Sequence, residues 1–199
     1  MTALPPTTWT FAAVALGSNL GPRAEHLAAA LSMLESSPQV RALRTSDWIE
    51  TAPEGGPPGQ GPFLNGAVVL ETTLSPLRFL RLLQRCEARR GRDREREGPG
   101  GARTLDLDLL VHGAARLATP DLRLPHARMG RRRFVLEPLA SLVPELVPPG
   151  WRSSVASTLA LLPPSAPARV QLTGSGRGRG PGQSAPLTGS PGVSGNLLT

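Results

Sequence analysis

The stretch Arg103 to Gly113, RTLDLDLLVHG, narrows what this chain can fold into more than any other. Leu105, Leu107 and Leu109 alternate with Asp106 and Asp108, a period of two that suits an extended strand. In a strand the leucines turn to a core, and the two carboxylates share the opposite face about 7 Å apart. Asp has low strand propensity, and Leu110 falls on the acids' side, so that side is not simply solvent. Two carboxylates on one face suit one or two hard cations, and magnesium carried by a nucleotide phosphate is the obvious ligand. Arg103 and Thr104 add a phosphate-binding fork and a hydroxyl. The plainer alternative is an edge strand with two solvated aspartates.

Strands need partners, and two more runs supply them. Thr10 to Leu16 is an apolar run of buried-strand length, stopped by the glycine turn Gly17-Ser18-Asn19-Leu20-Gly21. That turn has backbone N–H groups to offer a phosphate, although most glycine turns are only turns. Pro22 starts a helix whose apolar positions are Ala24, Leu27, Ala28, Leu31 and Leu34. Val40 to Thr51 reads as a second strand, and Phe63 to Thr72 as a third with Asn65 at an otherwise apolar position. Between them, residues 52–62 hold four prolines and four glycines and predict a loop long enough to act as a binding lid. An amide at the mouth of such a loop, Asn65, presents both a donor and an acceptor to a heterocycle edge.

Ser75 and Pro76 open a further helix, ended at Gly91, with its buried stripe drawn from Leu77, Phe79, Leu80, Leu82, Leu83 and Cys86. Gln84 and Glu87 are three apart and share a face, where Glu87 would add to an acidic pocket. The charge run 92–101 leads directly into the aspartate strand, so Arg92, Arg94 and Arg96 are placed to swing over a polyphosphate. His126 follows Pro125 and precedes an arginine cluster, as a candidate phosphate donor. Residues 137–146 close the core, Trp151 to Leu162 reads as a last amphipathic helix, and residues 163–199 form a Pro/Gly/Ser/Thr-rich tail expected to be disordered.

Composition bears on ligand and compartment. All 22 basic residues are Arg, so the net charge of +7 reflects a coding bias as much as a polyanion partner, and a small anionic ligand is expected first. With one cysteine there is no internal disulfide and no Cys-based metal site. A reducing cytoplasm suits this, and no signal or membrane-spanning segment is read from the sequence. No heptad seam appears, which makes a monomer the default.

Taken together, ALGSNLG, ETAP followed by FLN, QRCE, the G-R-x-R run, RTLDLDLL, and PH followed by RRFVLEPL resemble the 6-hydroxymethyl-7,8-dihydropterin pyrophosphokinases over residues 10–162. The resemblance implies an α+β domain of ferredoxin-like type, with a mainly antiparallel sheet in αβα layers. It implies transfer of pyrophosphate from ATP to a pterin hydroxymethyl group, giving AMP and the pterin diphosphate, a step of folate biosynthesis. By the same resemblance Asp106 and Asp108 hold two magnesium ions, and Gln84, Glu87, Arg92, Arg103, His126 and Arg132 bind ATP. Arg92, Arg94 and Arg103 join the aspartates in catalysis, while Thr51, Pro53, Asn65 and Phe134 form the pterin pocket with Phe63 as a supporting wall.

Two departures stand out. The loop before Arg103 reads EGPGGA and lacks the Trp that the family often has there, and Glu54 replaces a usually apolar residue. A rival enzyme reading is a nucleotidyltransferase with a glycine-serine motif and a D-x-D, opposed by the long separation of Gly17 from Asp106 in sequence. A rival binding reading is an Arg-rich RNA module, opposed by an aromatic content of 4% and no RNP-like run. Neither nucleic acid nor membrane is expected as a partner.

Overall fold

The computed structural model of the chain describes residues 8–92 and 100–164. Its elements in order are β1 (Thr10–Ser18), α1 (Arg23–Glu35), β2 (Val40–Thr45), β3 (Ile49–Thr51), β4 (Phe63–Thr72), α2 (Pro76–Arg89), β5 (Asp106–His112), β6 (Leu117–Ala118) and β7 (Arg123–Leu124). A 3₁₀ turn (Met129–Arg131), α3 (Arg133–Leu142) and α4 (Val155–Ala160) follow. The main sheet runs β2-β4-β1-β5, with β3 also on β4, and its pairings are antiparallel. β6 and β7 form a separate hairpin.

Period-two alternation gives each central strand two buried faces. Leu105, Leu107 and Leu109 enter one core with Val14, Leu16, Val68 and Leu70, covered by Leu27 and Leu34 of α1 and Phe79 and Leu83 of α2. On the other face Ala13, Ala15, Ala67, Val69 and Leu110 meet Val135, Leu136 and Leu139 of α3 and Val155 of α4. Each fully buried Leu or Phe contributes roughly 1.5–3 kcal/mol relative to exposure. The result is the αβα, α+β arrangement expected. The fully buried Leu110 shows that the acids' side of β5 is covered further along the strand.

Several boundaries differ from the pattern reading. β1 runs through Gly17 and Ser18, because both pair in register with β4, so the turn begins only at Asn19. The stretch 40–51 is two strands: Ala42 takes φ +55 where the β2–β4 register shifts, and at Ser46 the backbone N–H donates to the Ala67 carbonyl while the hydroxyl accepts the Ala67 N–H. Trp48 then lies over Gly66, where an added Cβ would come within 2.2 Å of the indole. On α1 the buried residues are His26, Leu27, Ala30 and Leu34, and Ala24 and Ala28 face out. On α2, Leu77 is exposed, and Phe79, Leu83 and Cys86 take the inward positions with Glu87. The last helix is short, Val155–Ala160, because Ser154 rather than Trp151 caps it. Arg94 and Arg96 of the charge run, and the tail from residue 165, lie outside the described residues.

Candidate active site

Three strands place the central residues by register. Gly17 on β1 pairs with Asn65 on β4 and with Asp106 on β5, and two positions along, Ala15 pairs with Ala67 and Asp108. Residues at these positions share a face, so the amide and both acids rise from one floor of glycine and alanine. That floor is the base of a cleft of about 310 Å³, walled by Thr51, Phe63 and Glu54 on one side and Arg128, Arg132 and Phe134 on the other. Gly17 and Asp106 are far apart in sequence and neighbours in the sheet.

Gly17 has a reason to be glycine. A Cβ there would stand 3.0 Å from Asn65 Oδ1 and 3.8 Å from Asp106 Cβ, crowding the cleft where amide and acid come together. Reading Gly17 as part of a turn missed this. A glycine ending an apolar strand run was the signal available.

The carboxylates have different surroundings. Asp106 accepts from Arg92 Nη1 at 2.5 Å through Oδ1 and from Arg103 Nη1 at 2.8 Å through Oδ2. Arg92 also pairs with Glu87, which in turn accepts the Leu107 N–H at 2.8 Å. Glu87 therefore stands beneath β5 and fastens α2 to the aspartate strand through Arg92 and the backbone, without lining the cleft. Asp108 has looser company, with His126 Nε2 at 3.9 Å and Arg132 Nη1 at 3.8 Å from Oδ2. Burial raises the Asp108 pKa above the ordinary carboxylate value, and the Asp106 charge raises it further, against the lowering effect of His126, Arg132 and Arg92. Burial also lowers the pKa of His126, opposed by Asp108, and that of Arg132. The His126 Nδ1 is buried without a hydrogen-bond partner among the described residues.

Two loops border this cleft and are fastened to each other. Asn19 exchanges hydrogen bonds with Arg103, its N–H donating to the Arg103 carbonyl at 3.1 Å and its Oδ1 accepting the Arg103 N–H at 2.8 Å. The Asn19 Nδ2 donates to Gln60 Oε1 at 3.1 Å and Gly61 O at 3.4 Å, on the 52–62 loop. Gln60 Nε2 donates to Gly100 O at 2.9 Å. Arg23 holds the far end of the same loop through Pro62 O at 2.7 Å and Glu50 at 2.7 Å. The backbone of GSNLG is thus engaged in part by Arg103, through Asn19.

Of the residues singled out from sequence, Thr51, Asn65, Arg92, Arg103, Asp106, Asp108, Arg132 and Phe134 line the cleft. Asn65 Nδ2 donates to Thr51 Oγ1 at 2.9 Å, which orients the amide. Pro53 lies between the lining residues Ala52 and Glu54, and His126 reaches the site through Asp108. Gln84 lies on the exposed side of α2, away from the lining. Sequence reasoning passed over Asn19, Gln60 and Arg128. An Asn or Gln in a glycine-rich loop carries no pattern that reveals a partner on another loop.

The donors suit magnesium. Asp106 and Asp108 supply hard oxygens from one face, and among the described residues no group of three or more His, Cys, Asp or Glu is arranged to hold a metal alone. A six-coordinate ion here therefore takes further oxygens from water and substrate, as magnesium at phosphate sites does.

A family model described as 7,8-dihydro-6-hydroxymethylpterin-pyrophosphokinase (HPPK) matches residues 13–144. A 2-amino-4-hydroxy-6-hydroxymethyldihydropteridine pyrophosphokinase of Pseudomonas aeruginosa is 45% identical over 140 residues, covering 70% of this chain and 84% of that protein. One of Methylorubrum extorquens is 40% identical over 162 residues, covering 81% of this chain and 99% of that protein. Among solved structures, wild-type Plasmodium falciparum HPPK-DHPS with STZ-DHP superposes with TM-score 0.61 at 15% identity, over 78% of this chain. The chain spans only 43% of that longer protein, and at this identity the likeness concerns the fold. On the family match and on relatives aligned over most of their length, the chain belongs to the 7,8-dihydro-6-hydroxymethylpterin-pyrophosphokinase family.

Proposed function

We propose that this enzyme transfers pyrophosphate from ATP to the hydroxymethyl group of 6-hydroxymethyl-7,8-dihydropterin, a step of folate biosynthesis. The supporting observation is the row Asn65, Gly17, Asp106, which sets an amide with a donor and an acceptor beside a carboxylate pair suited to a phosphate-bound cation in one cleft. In the reaction the pterin hydroxyl oxygen bonds to the β-phosphorus and the bond from that phosphorus to the α,β-bridging oxygen breaks. AMP leaves, and the hydroxyl proton is released.

The chain's residues divide this work. Asn65, oriented by Thr51, reads the pterin edge, and Phe134 stacks on its face with Phe63 opposite. Arg92 and Arg103 turn from Asp106 to the phosphate oxygens when nucleotide enters, and Arg132 and His126 add positive charge beside Asp108. Asp106 and Asp108 would hold magnesium, two ions being the count we propose, and bound magnesium supplies neutralisation of the triphosphate charge. Arg94 is assigned to the same loop on the resemblance alone. The 52–62 loop, which lines one wall of the cleft, is the lid we assign to exclude water. The buried single cysteine needs no oxidising compartment, and we assign the enzyme to the cytoplasm as a monomer. Among the described residues no helix is long and apolar enough to cross a membrane.

The test is magnesium-dependent AMP formation from ATP, with and without the hydroxymethyl-dihydropterin, for wild type and Asp108→Asn. AMP forms only with pterin, and the variant loses on the order of a thousand-fold in kcat/KM, several kcal/mol of charge stabilisation. ADP as product would sink the proposal.

A further inference from the structure

We propose that Trp151, outside the residues matched by the family model, is a positioning residue that holds Arg132 in place for ATP. Arg132 follows the 3₁₀ turn Met129–Arg131, and its N–H donates to the Met129 carbonyl at 3.3 Å, so its direction follows the turn. The start of this strap is fixed to β5, because the His126 N–H donates to the Leu110 carbonyl at 2.9 Å. The turn has a different support. Met129 is fully buried in the second core, and the indole of Trp151 lies against Gly130. A Cβ at position 130 would be 3.1 Å from two indole carbons, so the ring already occupies the space a side chain would need.

Trp151 is itself anchored. Its N–H donates to Pro148 O at 2.9 Å, and the segment that carries it returns along α3, with Val155 N–H donating to Leu146 O at 2.8 Å. Arg133, next to Arg132, donates to the Leu162 and Pro163 carbonyls at 3.2 and 3.3 Å. The C-terminal segment therefore grips the arginine strap at two places. Arg132 needs that support, since 3.8 Å from Asp108 and 5.5 Å from the Phe134 ring it has no short ion pair in the described structure to set its direction. Removing the indole frees the turn to shift. A misplacement of about 1 Å is enough to weaken a phosphate contact strongly.

The inference rests on the reading of Arg132 as a phosphate-binding residue, and the experiment separates the two. Steady-state kinetics with each substrate varied would compare wild type with Trp151→Ala, Trp151→Phe and Arg132→Ala. Trp151→Ala raises KM for ATP on the order of ten-fold, leaves KM for pterin within about two-fold, and Trp151→Phe recovers most of the loss. If Arg132→Ala raises KM for ATP and Trp151→Ala does not, or raises both KM values alike, the inference is overturned. If neither moves KM for ATP, the assignment of Arg132 itself fails, and the inference with it. Should Trp151→Ala not fold, the wild-type chain labelled with 5-fluorotryptophan decides by fluorine NMR, its Trp151 signal assigned from Trp151→Phe. That signal shifts on adding magnesium with a non-hydrolysable ATP analogue and stays in place with pterin alone, and a signal indifferent to the nucleotide overturns the proposal.

Discussion

His26 is 7% exposed at the contact between α1 and α2, where its Nδ1 accepts a 3.0 Å hydrogen bond from Arg90 Nε. Burial lowers its pKa below 6.5, Arg90 lowers it further, and Glu25 partly opposes them. The folded state thus prefers the neutral ring, so its stabilisation is complete above the unfolded value of 6.5 and is lost as pH falls through the depressed folded value. As pH falls below 6.5 the urea midpoint of wild type should fall more than that of His26→Gln, which has no imidazole to protonate. Parallel pH profiles would refute this. At this scale the sequence was an uneven guide. Asp106 and Asp108 were legible because alternation and charge agree, whereas His26 fell between two apolar helix positions and its partner is 64 residues away. Gly17 was read as punctuation because strand pairing, which makes its missing Cβ useful, is absent from a linear string.

The elements around the cleft were found more easily than the ties between them. β4 and α2 matched their expected bounds, since long alternation and a Ser-Pro start with a closing glycine are local signals. The 40–51 stretch split because Trp48 has to fit over Gly66 of another strand. The 52–62 loop was identified as a lid by composition, but its fastening to Asn19 and Gly100 through Gln60 was not. Asn19→Ala removes the side-chain bonds to Gln60, Gly61 and Arg103 together, and should leave the half-buried Arg103 N–H without the Asn19 acceptor at a cost of about 1 kcal/mol. We expect proteolytic nicking in the 52–62 loop to quicken and kcat to fall about ten-fold, while the far-ultraviolet circular dichroism is unchanged. Unchanged nicking and kcat would mean that the loops hold without the clasp.

Over the described residues, two cores lie on opposite faces of one sheet, and Arg133 reaches the last described turn through Leu162 and Pro163. Residues 165–199 are rich in Pro, Gly, Ser and Thr, a composition with little apolar surface to bury. A chain ending at Pro164 should keep kcat/KM within about two-fold and its melting temperature within about 2 °C, by steady-state kinetics and calorimetry. A larger loss in either would give the tail a part in the fold or the site. By itself the sequence determined most of the strands and helices, and that two acids share one face of a strand with arginines close by in the chain, since these follow from periodicity and charge within short windows. Only the tertiary structure decided that Gly17 sets Asn65 beside Asp106, that Glu87 braces β5 from below, and that Trp151 supports the arginine strap. Those relations depend on register and close packing between segments distant in sequence, and no local pattern specifies them.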